Sequence, residues 1–364
     1  MDTKILCANP HSQYLEQKRE IDQAVEQVLN SDSYILGAEV ENFEKEFAQY
    51  VGTDHCVSVN SGTDALILAL RALNIGAGDE VIAPSHTAVA TISAVVSTGA
   101  TPVFVDIDPE SFTINPDLVS KAITIKTRAI IAVHLYGHPC DMDSLQEIAA
   151  KNDLFIIEDC AQAHGALWRG NKVGSIGVIG CFSFYPTKNL GAIGDGGAIT
   201  TNDKLIAEKI KQLRQYGWDS DKKSQIQSSV SRLDEIQAAI LRIKLMKLDV
   251  FNSKRQEIAK YYFENLAHSE LILPTSKMGI SHVFHLFVVR SKRRDELIKA
   301  LNKLEIYPGI HYPTPVHLQP AFDSVPHYEL PVTESLAETI VSLPMFPELT
   351  KAELSRVCKG VLSV

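Results

Sequence analysis

The sequence predicts an α/β fold of a mostly parallel central sheet covered by helices on both faces, with a smaller α+β unit at the C-terminal end. Three observations carry this. Strand-like and helix-like segments alternate from about residue 55 to residue 160. The strand-like runs are continuously apolar, as in sheets buried on both faces, rather than alternating. After about residue 245 the texture changes to mixed strands and amphipathic segments around a Pro-rich loop. The expected division is residues 1–245 for a large domain and 246–364 for a small one, and 364 residues suffice for both.

Taken in order, Gln13 to Leu29 carries apolar residues at helical spacing and is expected to form one helix, and Ala38 to Tyr50 a second. His55–Asn60 reads as a strand, Thr63–Leu73 as a buried helix, Asp79–Pro84 as a strand, Ala88–Ser97 as a helix and Pro102–Ile107 as a strand. The pattern repeats in Ala129–His134 (strand), Met142–Lys151 (helix) and Leu154–Glu158 (strand). Beyond residue 245, His285–Val289 is strand-like and Arg293–Leu304 amphipathic. The Pro-rich loop Tyr307–Pro320 and further helix follow.

Composition narrows the function classes. Hydrophobic residues at 45% and charged residues at 22% fit a globular chain with a sizeable core. The 35 Lys and Arg against 44 Asp and Glu give a net charge of −9, which argues against nucleic-acid and anionic-membrane partners. No apolar run approaches membrane-spanning length, and Met1–Pro10 lacks the layout of a signal peptide, so a cytoplasmic location is expected. The six cysteines include no CxxC pair and suit neither a zinc site nor a disulfide framework; reduced thiols and no metal are expected.

Four segments carry the chemistry. Asn60-Ser61-Gly62-Thr63-Asp64 lies between a strand and a helix; small residues there let an anion approach the backbone at a helix N-terminus, although the same residues are ordinary helix caps. Glu158-Asp159 ends a strand, where open α/β sheets place their ligands. Adjacent strand residues face opposite ways, so one carboxylate points into a site and the other away; Asp159 is the choice for the site. In Phe182-Ser183-Phe184-Tyr185-Pro186-Thr187-Lys188, a lysine sits among aromatic and small residues and is followed by Gly191, Gly194, Gly196 and Gly197. A lone lysine is nearly always a solvated charge. Shielded from water, its amine loses its proton more easily and becomes a nucleophile toward an aldehyde. A phosphate turn, a carboxylate to keep a pyridine nitrogen protonated and a shielded lysine together fit pyridoxal phosphate (PLP), with Ser183 a hydrogen-bond donor to its phosphate. The fourth segment, Ser231 to Ala239, reads as a helix start with a capping acid. No GxGxxG, Walker A, GxSxG or HExxH pattern competes. His134 and His138 are four apart, but Gly137 and Pro139 place them in a loop.

The sequence resembles the DegT/DnrJ/EryC1/StrS family of PLP-dependent sugar aminotransferases, of the aspartate-aminotransferase fold (PLP fold type I). The resemblance runs from about Asp32 to about Pro320 through NSGTDAL, GDEVIAPSHTAVAT, PVFVDID, IEDCAQAHGA, SFYPTKNLGAIGDGGAI and SRLDEIQAA. It implies that Lys188 carries the cofactor as a Schiff base and then shuttles the proton. It further implies that Asp159 pairs with the pyridine nitrogen, that Gln162 lies near the cofactor ring, and that Gly62, Thr63 and Ser183 hold the phosphate. Family members are homodimers with shared active sites, and the loop before Arg232 is expected to cross to the partner. Two positions depart from the family pattern. Ala88 stands where many members have an aromatic residue that stacks on the ring, and His86 is the candidate to replace it. Val230 stands where the family often has an asparagine that reaches the partner's phosphate, with the serines at 228 and 229, Ser229 in particular, as candidates.

PSHTAVAT and PVHLQPAF (Pro315–Phe322) are similar to the subgroup acting at C-3 of dTDP-3-keto-6-deoxyhexoses. The expected reaction moves an amino group from L-glutamate to such a sugar, through PLP and pyridoxamine phosphate. Alternatives are the same chemistry at C-4 of a GDP- or UDP-linked keto sugar, a dehydratase (whose branch has histidine in place of Lys188), and a non-catalytic regulator. Candidates for substrate contact are Tyr185, Tyr216, His311, Tyr312 and His317, for each of which packing is an equal alternative.

Overall fold

The computed structural model describes residues 4–275, 279–323, 325–326 and 328–364. Its centre is a seven-stranded sheet of β1 (His55–Val59), β2 (Glu80–Pro84), β3 (Thr101–Val105), β4 (Thr127–Val133), β5 (Phe155–Asp159), β6 (Ile179–Ser183) and β7 (Gly197–Thr201). The spatial order is β1-β7-β6-β5-β4-β2-β3, and β7 alone runs against the others. This is the expected fold class.

Successive residues of each strand enter opposite cores. In β4, Ala129, Ile131 and Val133 join the core under α4 (Gly62–Ala72) and α5 (Val89–Ser97). Ile130 and Ala132 join the one under α6 (Pro116–Ala122) and α7 (Met142–Asn152). Neither face meets water, which is why the strands read as unbroken apolar runs.

The expected single helix from Gln13 to Leu29 is two helices, α1 (Pro10–Glu16) and α2 (Lys18–Leu29). Gln17 leaves helical geometry (φ −119°, ψ 18°) and is fully buried. A one-residue break leaves the apolar spacing nearly intact, so the pattern conceals it. In the C-terminal part, strand β8 (Phe287–Arg290) pairs antiparallel with β9 (Ile340–Leu343), between α12 (Pro331–Thr339) and α13 (Lys351–Leu362). Two-residue strand Ile5–Leu6 pairs in parallel with Ile306–Tyr307, and Ile5 joins a third core with Ile258, Phe287, Leu301 and Val357.

Two buried carboxylates tie distant elements together. Asp106, just past β3, accepts the amides of Val332 and Thr333 (2.9 Å each) and the Thr333 hydroxyl (2.7 Å), so it caps α12 from the central sheet. Glu235 opens α9 (Glu235–Leu245) but caps a different helix: its carboxylate accepts the amides of Gly37, Glu39 and Val40 at 2.8–3.0 Å, at the start of α3 (Ala38–Val51). The segment read from the sequence as a helix start with a capping acid thus also supplies, through Glu235, a cap for α3, whose own N-cap, Gly37, has no side chain to do so. Among the described residues no helix is long and apolar enough to cross a membrane.

Replacing Glu235 by Ala leaves three amides at the α3 N-terminus without their acceptor. It is expected to lower unfolding free energy by about 2–3 kcal/mol, measured by urea denaturation.

Candidate active site

Asp159 is the last residue of β5, at the carboxyl edge of the sheet, and is buried. Its Oδ2 accepts the Thr91 hydroxyl at 2.8 Å and its Oδ1 the Ala161 amide at 3.1 Å. Thr87 in turn hydrogen-bonds Thr91 at 2.9 Å. Burial pushes the carboxyl above its ordinary range, while Thr91, the Ala161 amide and Lys188 oppose the shift. The arrangement is an interior carboxylate aimed at a cationic partner.

Glu158 points the other way, as strand alternation requires. Its Oε1 accepts the amides of Ile176 (2.8 Å) and Gly177 (2.7 Å), and its Oε2 accepts the Gly174 amide (2.8 Å) and His134 Nε2 (3.0 Å). Fully buried His134, Glu158 and Cys160 bring ligand-type atoms within 4.8 Å of one another. The amide of Cys140 uses His134 Nδ1 as acceptor at 3.0 Å, and each Glu158 oxygen already takes two donors. With those lone pairs spent, the trio pins the end of β5 instead of offering a metal a place.

Lys188 lies in the loop between β6 and β7, where its amide closes a turn on the Tyr185 carbonyl (2.8 Å). Gly191 is needed there, since a Cβ would fall 2.5 Å from the Pro186 carbonyl oxygen. Burial pushes the Lys188 amine down to about 8, with Asp159 opposing the shift. Neighbouring Asn189 is locked in place: its Nδ2 donates to Asn252 Oδ1 (2.8 Å) and the Val283 carbonyl (3.1 Å), and its Oδ1 faces His285 Nδ1 at 3.2 Å. Three imidazoles feel the Lys188 charge. Burial first, and Lys188 second, push His164 down to about 3, His311 down to about 4 and His285 well below its ordinary range. All three rings are therefore held in the neutral form.

An anion cradle stands beside it. Ser61 caps α4 by accepting the Asp64 amide at 3.1 Å, so Gly62 and Thr63 are the first helical residues, whose amides have no partner within the helix. Ser183, at the end of β6, lies directly against Gly62, where a Cβ would fall 2.6 Å from that of Ser183 and 3.2 Å from its hydroxyl oxygen. The glycine is what lets strand end and helix start meet, and the helix dipole favours negative charge there.

Gln162 and His86 are buried nearby. Gln162 Oε1 accepts the Tyr136 amide (2.7 Å) and its Nε2 donates to the Tyr312 hydroxyl (3.0 Å). His86 Nε2 lies 2.7 Å from the Tyr136 hydroxyl, and burial pushes the ring down to about 4. Of the remaining candidates, His311 bonds Ser342 Oγ through Nδ1 (2.8 Å), and Tyr185 is exposed. Tyr216 packs its half-exposed ring on Trp218 with centroids 5.0 Å apart. His317 has both ring nitrogens engaged, one with Ser85 (2.7 Å) and one with Glu334 (3.1 Å). Exposed Ser229 holds the Tyr216 amide through its carbonyl (2.9 Å); among the described residues, no bond joins it to the Gly62–Ser183 cradle of its own chain. Sequence reasoning gave no role to Thr91, Tyr136, Asn189 or His285. Thr91 ends the quoted SHTAVAT run, four residues after Thr87, a spacing that puts both hydroxyls on one side of a helix start.

These residues fit PLP: helix-start amides at Gly62 and Thr63 with no partner within the helix, next to the Ser183 hydroxyl, for a phosphate, a buried carboxylate for the ring nitrogen, and a lysine amine with lowered affinity for protons. Fold and site define a PLP enzyme of the aminotransferase type. The chain belongs to the DegT/DnrJ/EryC1/StrS aminotransferase family, whose profile matches residues 15–362. It is 50% identical over 351 residues (96% of this chain, 93% of the relative) to the dTDP-3-amino-3,4,6-trideoxy-alpha-D-glucose transaminase of Streptomyces venezuelae. It is 48% identical over 344 residues (94% and 95%) to the dTDP-3-amino-3,6-dideoxy-alpha-D-galactopyranose transaminase of Aneurinibacillus thermoaerophilus. The crystal structure of S. venezuelae DesV in complex with a ketimine intermediate superposes with a TM-score of 0.97 at 48% identity, covering 99% of this chain and 98% of that one. Similar solved structures carry pyridoxamine phosphate (NtdA of Bacillus subtilis) or occur in PLP and pyridoxamine-phosphate forms (a Streptococcus pneumoniae protein).

Two outcomes follow from the geometry. In cofactor-free protein, only the neutral Lys188 amine attacks an aldehyde, so its rate of trapping by pyridoxal should rise through about pH 8 and level off above it. An ordinary lysine would show the rise near pH 10.4. Thr91→Val removes a hydrogen bond to the buried Asp159 carboxylate. Cofactor affinity should fall about tenfold or more, and the loss of affinity on acidification should begin at higher pH than in wild type, as read by fluorescence titration.

Proposed function

We propose that this chain transfers the amino group of L-glutamate to C-3 of a dTDP-linked 3-keto-6-deoxyhexose, giving a dTDP-3-amino-3,6-dideoxyhexose and 2-oxoglutarate. The observation that carries amino transfer is the juxtaposition of a shielded Lys188 amine with buried Asp159 and the Gly62–Ser183 cradle. The sugar is supported by the two relatives that are dTDP-3-amino-sugar transaminases.

Bound at this site, PLP supplies a sink for the electrons left on carbon when a proton is removed. The protein's residues do the rest. Gly62, Thr63 and Ser183 take the phosphate, and ionised Asp159 keeps the ring nitrogen protonated. With the cofactor bound, the Nζ of Lys188 would take the α-proton of glutamate and, in the second half, deliver a proton to C-3 of the sugar. The neutral rings of His164, His285 and His311 add no second positive charge that would compete with this proton traffic.

The proposed working unit is a homodimer in which the loop before Arg232 reaches the partner's site. In support, an apolar groove of about 890 Å³, lined by Tyr14, Ile21, Val25, Leu29 and Ile193, opens at the surface beside the Lys188 loop, and Val230 is exposed. The proposed boundary between domains, residues 245 and 246, falls in the short break between α9 and α10 (Leu248–Leu266). A cytoplasmic location is in keeping with six unpaired cysteines.

Incubation with glutamate and a panel of dTDP-, UDP- and GDP-linked keto sugars, with the new C–N bond located by NMR, tests the reading. A dTDP-sugar aminated at C-3 is the expected product, and failure of every ketose to accept the amine would overturn it. Lys188→Ala should abolish the visible absorbance of lysine-bound cofactor and reduce turnover by at least three orders of magnitude.

A further inference from the structure

Tyr136 follows β4 at the carboxyl edge of the sheet, in a left-handed backbone conformation (φ 60°), and is buried. Its amide donates to Gln162 Oε1 at 2.7 Å and its carbonyl accepts the Leu286 amide at 3.3 Å. Its hydroxyl lies 2.7 Å from His86 Nε2 and donates to the carbonyl of His311. Phe112 packs edge-on to the Tyr136 ring, with centroids 5.4 Å apart, and stands 6.1 Å from that of His86. One residue thus joins three segments: its hydroxyl links the turn after β2 to the Pro-rich C-terminal loop, and its main-chain amide holds the turn after β5.

Donor and acceptor chemistry fixes the protons in this cluster. A carbonyl only accepts, so the Tyr136 hydroxyl proton belongs to His311. The same oxygen must then accept from His86, which puts the His86 proton on Nε2 and leaves Nδ1 with its lone pair. Gln162 is fixed by the same logic: its oxygen is spent on the Tyr136 amide, so its NH2 faces outward and donates to Tyr312.

We propose that Tyr136 is a positioning residue that couples the sugar-side loop to the cofactor-side residues, setting the tautomer and orientation of His86 and the seat of the loop segment His311–Tyr312 through one hydroxyl. The inference rests on the proposed function, extended so that His86 and Gln162 face the cofactor and the loop of His311 and Tyr312 faces the sugar. A shift of the loop on sugar binding is thereby felt at His86, and the reverse.

Tyr136→Phe keeps the ring and the main-chain bonds and deletes the hydroxyl. The expected result is bound cofactor with an altered visible circular-dichroism band, a KM for the keto sugar raised at least tenfold, and a kcat lowered less than threefold. His86→Phe keeps an aromatic ring and deletes the N–H from the other side. It should give the same dichroism change, and the double variant should be no worse than either single one. A packing role alone would lower Tm and move neither the dichroism nor KM. Wild-type dichroism and KM in Tyr136→Phe, or additive effects in the double variant, overturn the proposal. If Tyr136→Phe does not fold, His86→Phe with wild-type dichroism and KM overturns it alone. Should wild-type protein aminate no sugar, the functional reading fails separately, while the dichroism comparison, made without sugar, still tests the link to His86.

Discussion

Keeping Asp159 ionised inside the protein is the constraint around which the rest is arranged. A carboxylate removed from water costs several kcal/mol unless charge and hydrogen bonds replace its hydration. The chain supplies both: a hydroxyl from α5, an amide from the turn that follows β5, and the Lys188 amine across the site. Each contribution, two hydrogen bonds and one charge, comes from a different segment. The position of α5 on the sheet, the bend after Asp159 and the lysine loop are therefore fixed relative to one another by a single buried charge.

Two adjacent carboxylates show how strand geometry divides labour. Glu158 and Asp159 share a backbone and a burial class, yet Glu158 is saturated by four protein donors while Asp159 keeps capacity for a cationic ring. The saturated partner holds the strand end to the segment from Gly174 to Gly177, a rigid anchor for the reactive one. Glycines make that close approach feasible, because a Cβ on Gly177 would fall 2.6 Å from the Ile156 carbonyl oxygen.

Much of this was legible in the sequence because it rests on local rules. Continuous apolar runs such as Ala129–Val133 announce a sheet covered on both sides, and alternation at Glu158-Asp159 says which acid faces the site. The Gly62 turn and the glycines after Lys188 mark where the backbone closely approaches other parts of the chain. What escaped depends on contacts far apart in sequence. The break at Gln17 leaves the helical period intact. Glu235 sits where a helix-initiating acid belongs, yet the amides that donate to it are 195–198 residues away. Tyr136 carries no motif of its own, and its role emerges only when residues near 86, 162 and 311 converge on it. His317, a substrate candidate by its loop, has both ring nitrogens engaged with Ser85 and Glu334.

The pairing of Ile5–Leu6 with Ile306–Tyr307 has a bearing on how the chain is made. During synthesis the seven strands of the central sheet are all available once residue 201 has emerged, and that sheet can close early. The first strand has no partner until some three hundred residues later, so it must stay unpaired through most of translation. When its partner arrives, the pairing joins the earliest and latest parts of the chain next to the loop that leads to His311 and Tyr312. The loop that carries His311 and Tyr312 can thus be completed only late in the life of the nascent chain, after the Gly62–Ser183 contact has become available.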